Sequence, residues 1–154
     1  MAERDTAGQE RPDRALADFL PYLLSITSNA VSDRIAGEYR ARFGLKVPEW
    51  RVMAVLGDTG AMTQRALADA TLMDKVAVNR AVKVLAGREL LRRLPNTRDG
   101  RSHLLELTKA GRGVHGEVMP LALATEARLL EDFAPEEVAQ LRSMLERLER
   151  RARS

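Results

Sequence analysis

The chain has 154 residues, 45% of them hydrophobic, a formal net charge of +3 and no cysteine, which suits one domain, or one domain with helical extensions, around a real core. The absence of cysteine excludes a disulfide framework, a thiolate zinc site and thiol-based redox sensing. No apolar run approaches the roughly 18 residues that span a bilayer, and "MAERDTAGQERPDRA" is too polar for a signal peptide, so a soluble, cytoplasmic protein with no membrane association is expected.

Residues 1–14 are polar and aperiodic and read as a mobile tail. From Leu16 the apolar positions Leu16, Phe19, Leu20, Leu23, Leu24, Ala30, Val31 and Ile35 recur at helical spacing, with Pro21 marking an early start or a kink. This predicts a long first helix ending before Gly44. Pro48 then stands at a first helical position, and Trp50, Met53, Ala54 and Leu56 follow as a short second helix stopping at "GDTG". Thr63 caps a third helix, "TQRALADAT", with Ala66, Leu67 and Ala70 placed to face inward. After a tight turn at 72–74, Asp74 caps a fourth. Its Val78, Val82 and Leu85 form an inward stripe that leaves Lys75, Asn79, Arg80 and Lys83 outside. Such a pair is a helix-turn-helix.

"ELLRRLPNTRDGRSHLLEL" holds two strand-like segments, 90–94 and 102–107, around the turn-forming "PNTRDGR". That is a β-hairpin with a charged tip. Thr108 caps a second long helical region over 109–132, interrupted near Gly116 or Pro120, and a last helix restarts at Pro135. Its Val138, Leu141, Leu145 and Leu148 recur at coiled-coil spacing on a segment too short to be stable alone. Both chain ends therefore present apolar helices that the central module cannot cover, which points to a homodimer built from terminal helices. The expected fold is mainly α with a small β-hairpin: a winged helix-turn-helix over 48–108, flanked by a dimerisation region over 15–47 and 109–154.

Charge is concentrated in the same module. Between Lys75 and Arg101 lie eight basic residues and two acidic ones, a local +6 that leaves −3 for the remainder. A positive patch suits a polyanion, while a solvated charged face is the bland alternative. A helix bearing Lys75, Asn79, Arg80 and Lys83 matches base edges and phosphates of a major groove, and an inserted arginine such as Arg101 suits the narrower minor groove. The candidate contacts to double-stranded DNA are Thr63, Gln64, Lys75, Asn79, Arg80, Lys83, Arg98, Asp99 and Arg101.

The order of elements and several motifs resemble the MarR family of bacterial transcriptional regulators, from about Phe19 to Arg150. The stretches "PEWRVMAVL" (48–56), "TQRALADATLMDKVAVNRAVKVLAGRELLRR" (63–93) and "RDGRSHLLELTKAG" (98–111) carry the likeness. The family's wing pattern, Asp-x-Arg followed by Leu-Thr-x-x-Gly, falls on Asp99, Arg101, Leu107, Thr108 and Gly111. By this resemblance Arg101 is the minor-groove arginine and Asp99 holds the wing in shape. Asn96 stands where many members have Asp, and Asn79 where Ser or Thr is frequent, so no relative's operator sequence carries over. The family implies a dimer on a pseudo-palindromic operator, commonly a repressor released by a small aromatic or phenolic ligand bound between the dimerisation helices and the DNA-binding lobe.

A site for an aromatic carboxylate needs an apolar wall, a ring to stack on and a cation or hydroxyl. The only Trp of the chain, Trp50, sits beside Arg51, and Ser25, Ser28 and Ser32 share one stretch of the first helix. Ser28, Trp50 and Arg51 are therefore the ligand-site candidates, against the plain reading of a core Trp, an ion-paired Arg and backbone-bonded serines. No cofactor or metal is expected. An enzyme finds little support: there is no phosphate loop, metal-ligand cluster or nucleophile elbow, and His103 and His115 alone remain as acid-base groups. A winged helix that binds protein, or a regulator without a small-molecule effector, stays open beside the DNA-binding reading.

Overall fold

A computed structural model describes residues 16–154; the tail expected over 1–14 lies outside the described residues. The first long helix, α1 (Leu20–Phe43), starts with Pro21 in its first turn and ends at Gly44, whose left-handed conformation lets its N–H bond the Arg40 carbonyl. Leu16 and Ala17 are helical, Asp18 is a turn, and Phe19 is extended. The expected continuous helix from Leu16 therefore breaks, because Pro21 has no N–H to donate to the carbonyl four residues back. Arg88 donates to the Phe43 carbonyl at 2.6 Å, capping the C-terminus of α1 from a distant part of the chain.

Helix α2 (Val47–Thr59) is closed at its start from one side, by the Glu49 side chain reaching back so that the Lys46 backbone N–H donates to Glu49 Oε2 at 2.6 Å. A two-residue strand, β1 (Met62–Thr63), follows and was not expected. Thr63 caps α3 (Gln64–Thr71) by accepting from the Ala66 N–H at 3.1 Å, and Asp74 caps α4 (Lys75–Gly87) by accepting from Ala77 at 2.8 Å. Between them Leu72 takes a left-handed conformation, φ 55°, at the turn. The inward residues of α3 are Leu67 and Ala68, while Ala66 and Ala70 are exposed; a tight turn after an eight-residue helix leaves only a narrow stripe to bury.

Strands β2 (Leu91–Pro95) and β3 (His103–Leu107) pair antiparallel from Leu91 opposite Leu107 to Pro95 opposite His103. β1 pairs with the other edge of β3, so the hairpin is part of a three-stranded sheet in the order β1-β3-β2. Helix α5 (Lys109–Leu129), capped by Thr108, runs through Pro120 without the expected interruption. The carbonyl that a proline ring crowds belongs to the residue four back. Here that residue is Gly116, where a Cβ would meet no neighbouring side chain or element. Helix α6 (Pro135–Arg153) closes the chain.

The core gathers Ala36 and Tyr39 of α1, Val52, Met53 and Leu56 of α2, Leu67 of α3, Val78, Ala81, Val82 and Leu85 of α4, Leu91, Leu105 and Leu107 of the sheet, and Val118 of α5. This is a mainly α winged helix-turn-helix. No helix among the described residues is long and apolar enough to cross a membrane. The first half of α1 and all of α6 contribute nothing to the core, and Phe19, Leu23, Leu141 and Leu145 are all more than two-fifths exposed.

Gly111 seats α5 on the sheet. A Cβ there would overlap the Leu90 carbonyl oxygen, which already accepts from the Thr108 N–H at 3.1 Å. Gly111→Ala is expected to destabilise the protein by about 3 kcal/mol through backbone overpacking, measured by urea unfolding at one fixed protein concentration; a loss below about 0.5 kcal/mol would show that the junction is slack.

Candidate nucleic-acid interface

The rotation of α4 is set by its buried side. Val78, Val82 and Leu85 are fully buried, so the residues about half a turn away must face water. Lys75, Val76, Asn79, Arg80 and Lys83, together with Gln64 of α3, surround a shallow concavity of about 480 Å³. Gln64 Nε2 donates to Asn79 Oδ1 at 3.4 Å, tying the first turn of α3 to the outward face of α4. Thr63, the remaining α3 candidate, is half-buried with its hydroxyl engaged as the cap.

At the wing, short polar side chains organise the tip. Asp99 Oδ1 accepts from the Arg101 N–H at 3.0 Å, and Asn96 Oδ1 accepts from the Arg98 N–H at 3.1 Å, while Asn96 Nδ2 donates to Ser102 Oγ at 2.9 Å. These are Asx-type turns, which fix a short loop without burying apolar surface. Arg98 and Arg101 remain exposed. A second concavity, about 300 Å³, lies between wing and α3 and is lined by Thr63, Gln64, Arg65, Arg93, Asp99, Arg101, Ser102, His103 and Leu105. Three of its nine lining residues are arginines, against the single carboxylate of Asp99.

Not every basic residue of the 75–101 window belongs to this face. Arg88 caps α1, and Arg92 is paired with Glu106 across the hairpin. Among the described residues Lys75, Arg80, Lys83, Arg93, Arg98 and Arg101 have no ion-pair partner. Their charge is open to an external anion.

The ligand candidates are not brought together within one chain. Trp50 is buried, tilted against Tyr39 at 5.7 Å and stacked on His115 at 5.6 Å between ring centroids. His115 lies so close over Gly57 that a Cβ there would strike its ring. Arg51 is half-buried and near enough to Tyr39 to act on its ionisation. Ser28, in contrast, is exposed and eleven residues before Tyr39 on α1, about 16 Å along the helix axis. Helical spacing could not reveal that separation, because the pairing of α1 with α2 is a tertiary property.

Residues 43–102 match the MarR family. The MarR family transcriptional regulator SPO1453 from Silicibacter pomeroyi DSS-3 is 34% identical, with a TM-score of 0.75 over 86% of this chain and 94% of that one. The HTH-type transcriptional regulator PecS of Dickeya dadantii (strain 3937) is 27% identical over 152 residues, covering 95% of this chain and 92% of PecS. Bordetella bronchiseptica BpsR, whose structure concerns regulation of its DNA binding by 6-hydroxynicotinic acid, has the same fold, with 23% identity and a TM-score of 0.74 over 84% of this chain and 98% of its own. The chain belongs to the MarR family. Members of the MarR family are transcriptional regulators and not enzymes. On this MarR-family face, sequence reasoning passed over Val76 and Arg65; it counts Arg93 only within the basic window and reads His103 as a partly exposed residue or one approaching a DNA phosphate. Alternation along β2 and β3 puts Arg93 and His103 on one side of the sheet, whereas Arg65 needs the packing of α3 on the wing.

In the aromatic cluster of this MarR-family chain, burial raises the pKa of Tyr39 above its ordinary value of 10.0, with Asp33 acting in the same direction and the Arg40 and Arg51 guanidiniums opposing. A phenol whose folded-state pKa is raised contributes stability that is intact below about pH 10 and lost as pH rises through the folded value. Tyr39→Phe is therefore expected to flatten the fall in unfolding free energy above pH 10, followed by urea titration. An unchanged alkaline slope would assign the fall to other groups.

Proposed function

We propose that the chain binds double-stranded DNA as a homodimer on a pseudo-palindromic operator, acting as a repressor that a small aromatic carboxylate or phenolic acid releases. The observation that carries this reading is the continuous cationic face formed by the outward side of α4, Gln64 of α3 and the arginines of the wing. An α-helix fits the major groove, where Lys75, Asn79, Arg80 and Lys83 meet base edges and phosphates. Arg101, held at the wing tip with Arg98 and Asp99, reaches the adjacent minor groove, whose negative potential favours an inserted guanidinium. Thr63 and Gln64 contact the backbone at the start of α3. Residues 48–108 are thus the DNA-binding unit.

Dimerisation through 15–47 and 109–154 is supported by the apolar surface that a single chain leaves in water: Leu16, Phe19, Leu20 and Leu23 before and within α1, and Leu141, Met144, Leu145 and Leu148 on α6. Isologous pairing would remove both sets from solvent and place two α4 helices on successive major grooves, roughly 34–36 Å apart. For the effector, the support is an aromatic cluster, Tyr39, Trp50 and His115, beside the Arg51 cation at the junction of α1, α2 and α5. That set supplies a ring to stack on and a charge for a carboxylate. The regulation of BpsR by 6-hydroxynicotinic acid supports an acid of this class. Ser28 lies on the exposed half of α1 and joins such a site only through the dimer seam.

Fluorescence anisotropy on duplex DNA from upstream of the chain's own gene, at two salt concentrations and with a panel of aromatic carboxylates, tests the whole reading. Salt-dependent binding, with log K falling by about 0.9 per neutralised phosphate per decade of salt, is expected. Salt-insensitive or absent DNA binding favours the protein-interaction alternative, and binding that no acid reverses removes the effector. Arg101→Ala is expected to weaken operator binding by about 1–3 kcal/mol; unchanged affinity would remove the wing from the interface. In the same assay Arg51→Ala should raise the effector concentration needed for release several-fold while leaving DNA affinity nearly unchanged. An unaltered effector response would exclude Arg51 from the site.

A further inference from the structure

We propose that Val76 reads a thymine, packing its methyl groups on the C5-methyl of one thymine in each half-site. The inference rests on the DNA-binding reading above and adds to it a specificity-determining residue. Val76 is the second residue of α4 and is 61% exposed, whereas Val78 and Val82 of the same helix are fully buried. A single exposed valine on a surface needs no explanation. This one, however, stands in line with Asn79, Arg80 and Lys83 at steps of three, four and seven residues, and shares a single concavity with them. It is the apolar member of a polar and cationic lining.

Local helix stability does not account for its presence. The exposed first turn of a helix favours acidic or small polar side chains, and a β-branched residue there is a weak helix former. What a valine adds to this face is an apolar contact. Among the base edges of the major groove, the thymine C5-methyl is the apolar group; the other features are donors and acceptors. The neighbouring amide sharpens the match. Asn79 Oδ1 is engaged by Gln64 at 3.4 Å, which leaves the Asn79 Nδ2 hydrogens available as donors. Thymine carries its O4 acceptor next to the methyl, and Val76 and Asn79 lie one turn apart on the same face. Cytosine in that position lacks the methyl and sets its own N4 donor against the Asn79 donor.

The test starts from operators enriched by the full-length protein from a randomised duplex pool. Each thymine is then replaced, one at a time, by deoxyuridine, which removes the methyl and nothing else. For the wild-type protein, one symmetry-related thymine is expected to show about a fourfold loss of affinity per half-site. For Val76→Ala, which favours the helix and should fold, the same replacement is expected to cost nothing further. If no deoxyuridine weakens wild-type binding, or if Val76→Ala shows the same loss at the same position, the assignment is overturned while DNA binding stands. If no duplex is enriched at all, the DNA-binding reading fails and this inference falls with it. Circular dichroism of both proteins excludes loss of fold as the cause.

Discussion

The stripe of Val78, Ala81, Val82 and Leu85 is the interaction on which the rest of the structure depends. All four are buried in the core where α4 meets α2, α3 and the hairpin, and each larger side chain contributes roughly 1.5–3 kcal/mol by leaving water. The outward residues of α4 make at most weak polar contacts, of which the 3.4 Å bond between Gln64 and Asn79 is an example. An exposed polar contact is worth at most about 1 kcal/mol. The inward stripe therefore decides how α4 is rotated, and the outward set follows because successive residues turn by about 100°. Moving one valine of the stripe by a single position would swing Asn79 and Arg80 off the shared face. The orientation of a surface that makes only weak contacts within the chain is thus set by residues that never reach that surface.

The positive charge of the module is divided by the same logic. Eight basic residues lie close together in sequence, yet two serve the fold. Arg88 closes carbonyls at the end of α1, a role that needs donors aimed in a fixed direction, and Arg92 neutralises Glu106 on the adjacent strand. The others project from α4, β2 and the wing without partners among the described residues, and Arg65 joins them from α3. Uncompensated charges at such spacing repel one another within about a Debye length, 8 Å at physiological salt. The fold tolerates this because the exposed arginines are well solvated. A polyanion lying across the face would turn the repulsion into attraction, which is why salt sensitivity is the natural signature of this surface.

Most of the local architecture was legible in the sequence. Thr63, Asp74 and Thr108 each mark a helix start where an apolar period begins, and all three accept the expected backbone N–H. The Asp-Gly step and alternation on either side of it identified the hairpin. What escaped depended on contacts between distant segments. β1 is two residues long, too short for any period, and exists because Met62 and Thr63 meet the free edge of β3. Pro120 reads as a break, but the helix runs through it from Lys109 to Leu129. Trp50 stands out in the sequence as its one tryptophan, yet its neighbours are Tyr39 and His115, which lie on helices that only folding brings to it. Ser28 is grouped with Trp50 by chemistry, a hydroxyl among apolar neighbours on the first helix, and chemistry does not reveal which part of α1 packs on α2. The charge window read as one patch, since sequence spacing does not separate an arginine that caps a helix from one that faces solvent.

Helix α2 is the element through which the two halves of the proposed function must communicate. Its Trp50 packs toward Tyr39 of α1 and His115 of α5, while Val52, Met53 and Leu56 enter the core that holds α3, α4 and the sheet. A close-packed interior shifts between discrete arrangements and does not yield continuously. An acid that inserted beside Trp50 would have to move α2 or His115, because Gly57 and the imidazole already lie at the limit of approach. Any displacement of α2 carries the seat of the α4 stripe with it. Such a ligand changes DNA affinity only to the extent that it binds the two arrangements unequally. In a dimer the requirement is stricter than in a single domain: two α4 helices must keep the spacing of successive grooves, so a small rotation of each lobe on α1 and α5 is felt at both half-sites at once. Under the proposed function, the small contact between α2 and the aromatic pair would be the place where a modest difference in ligand binding is converted into a large difference in operator fit.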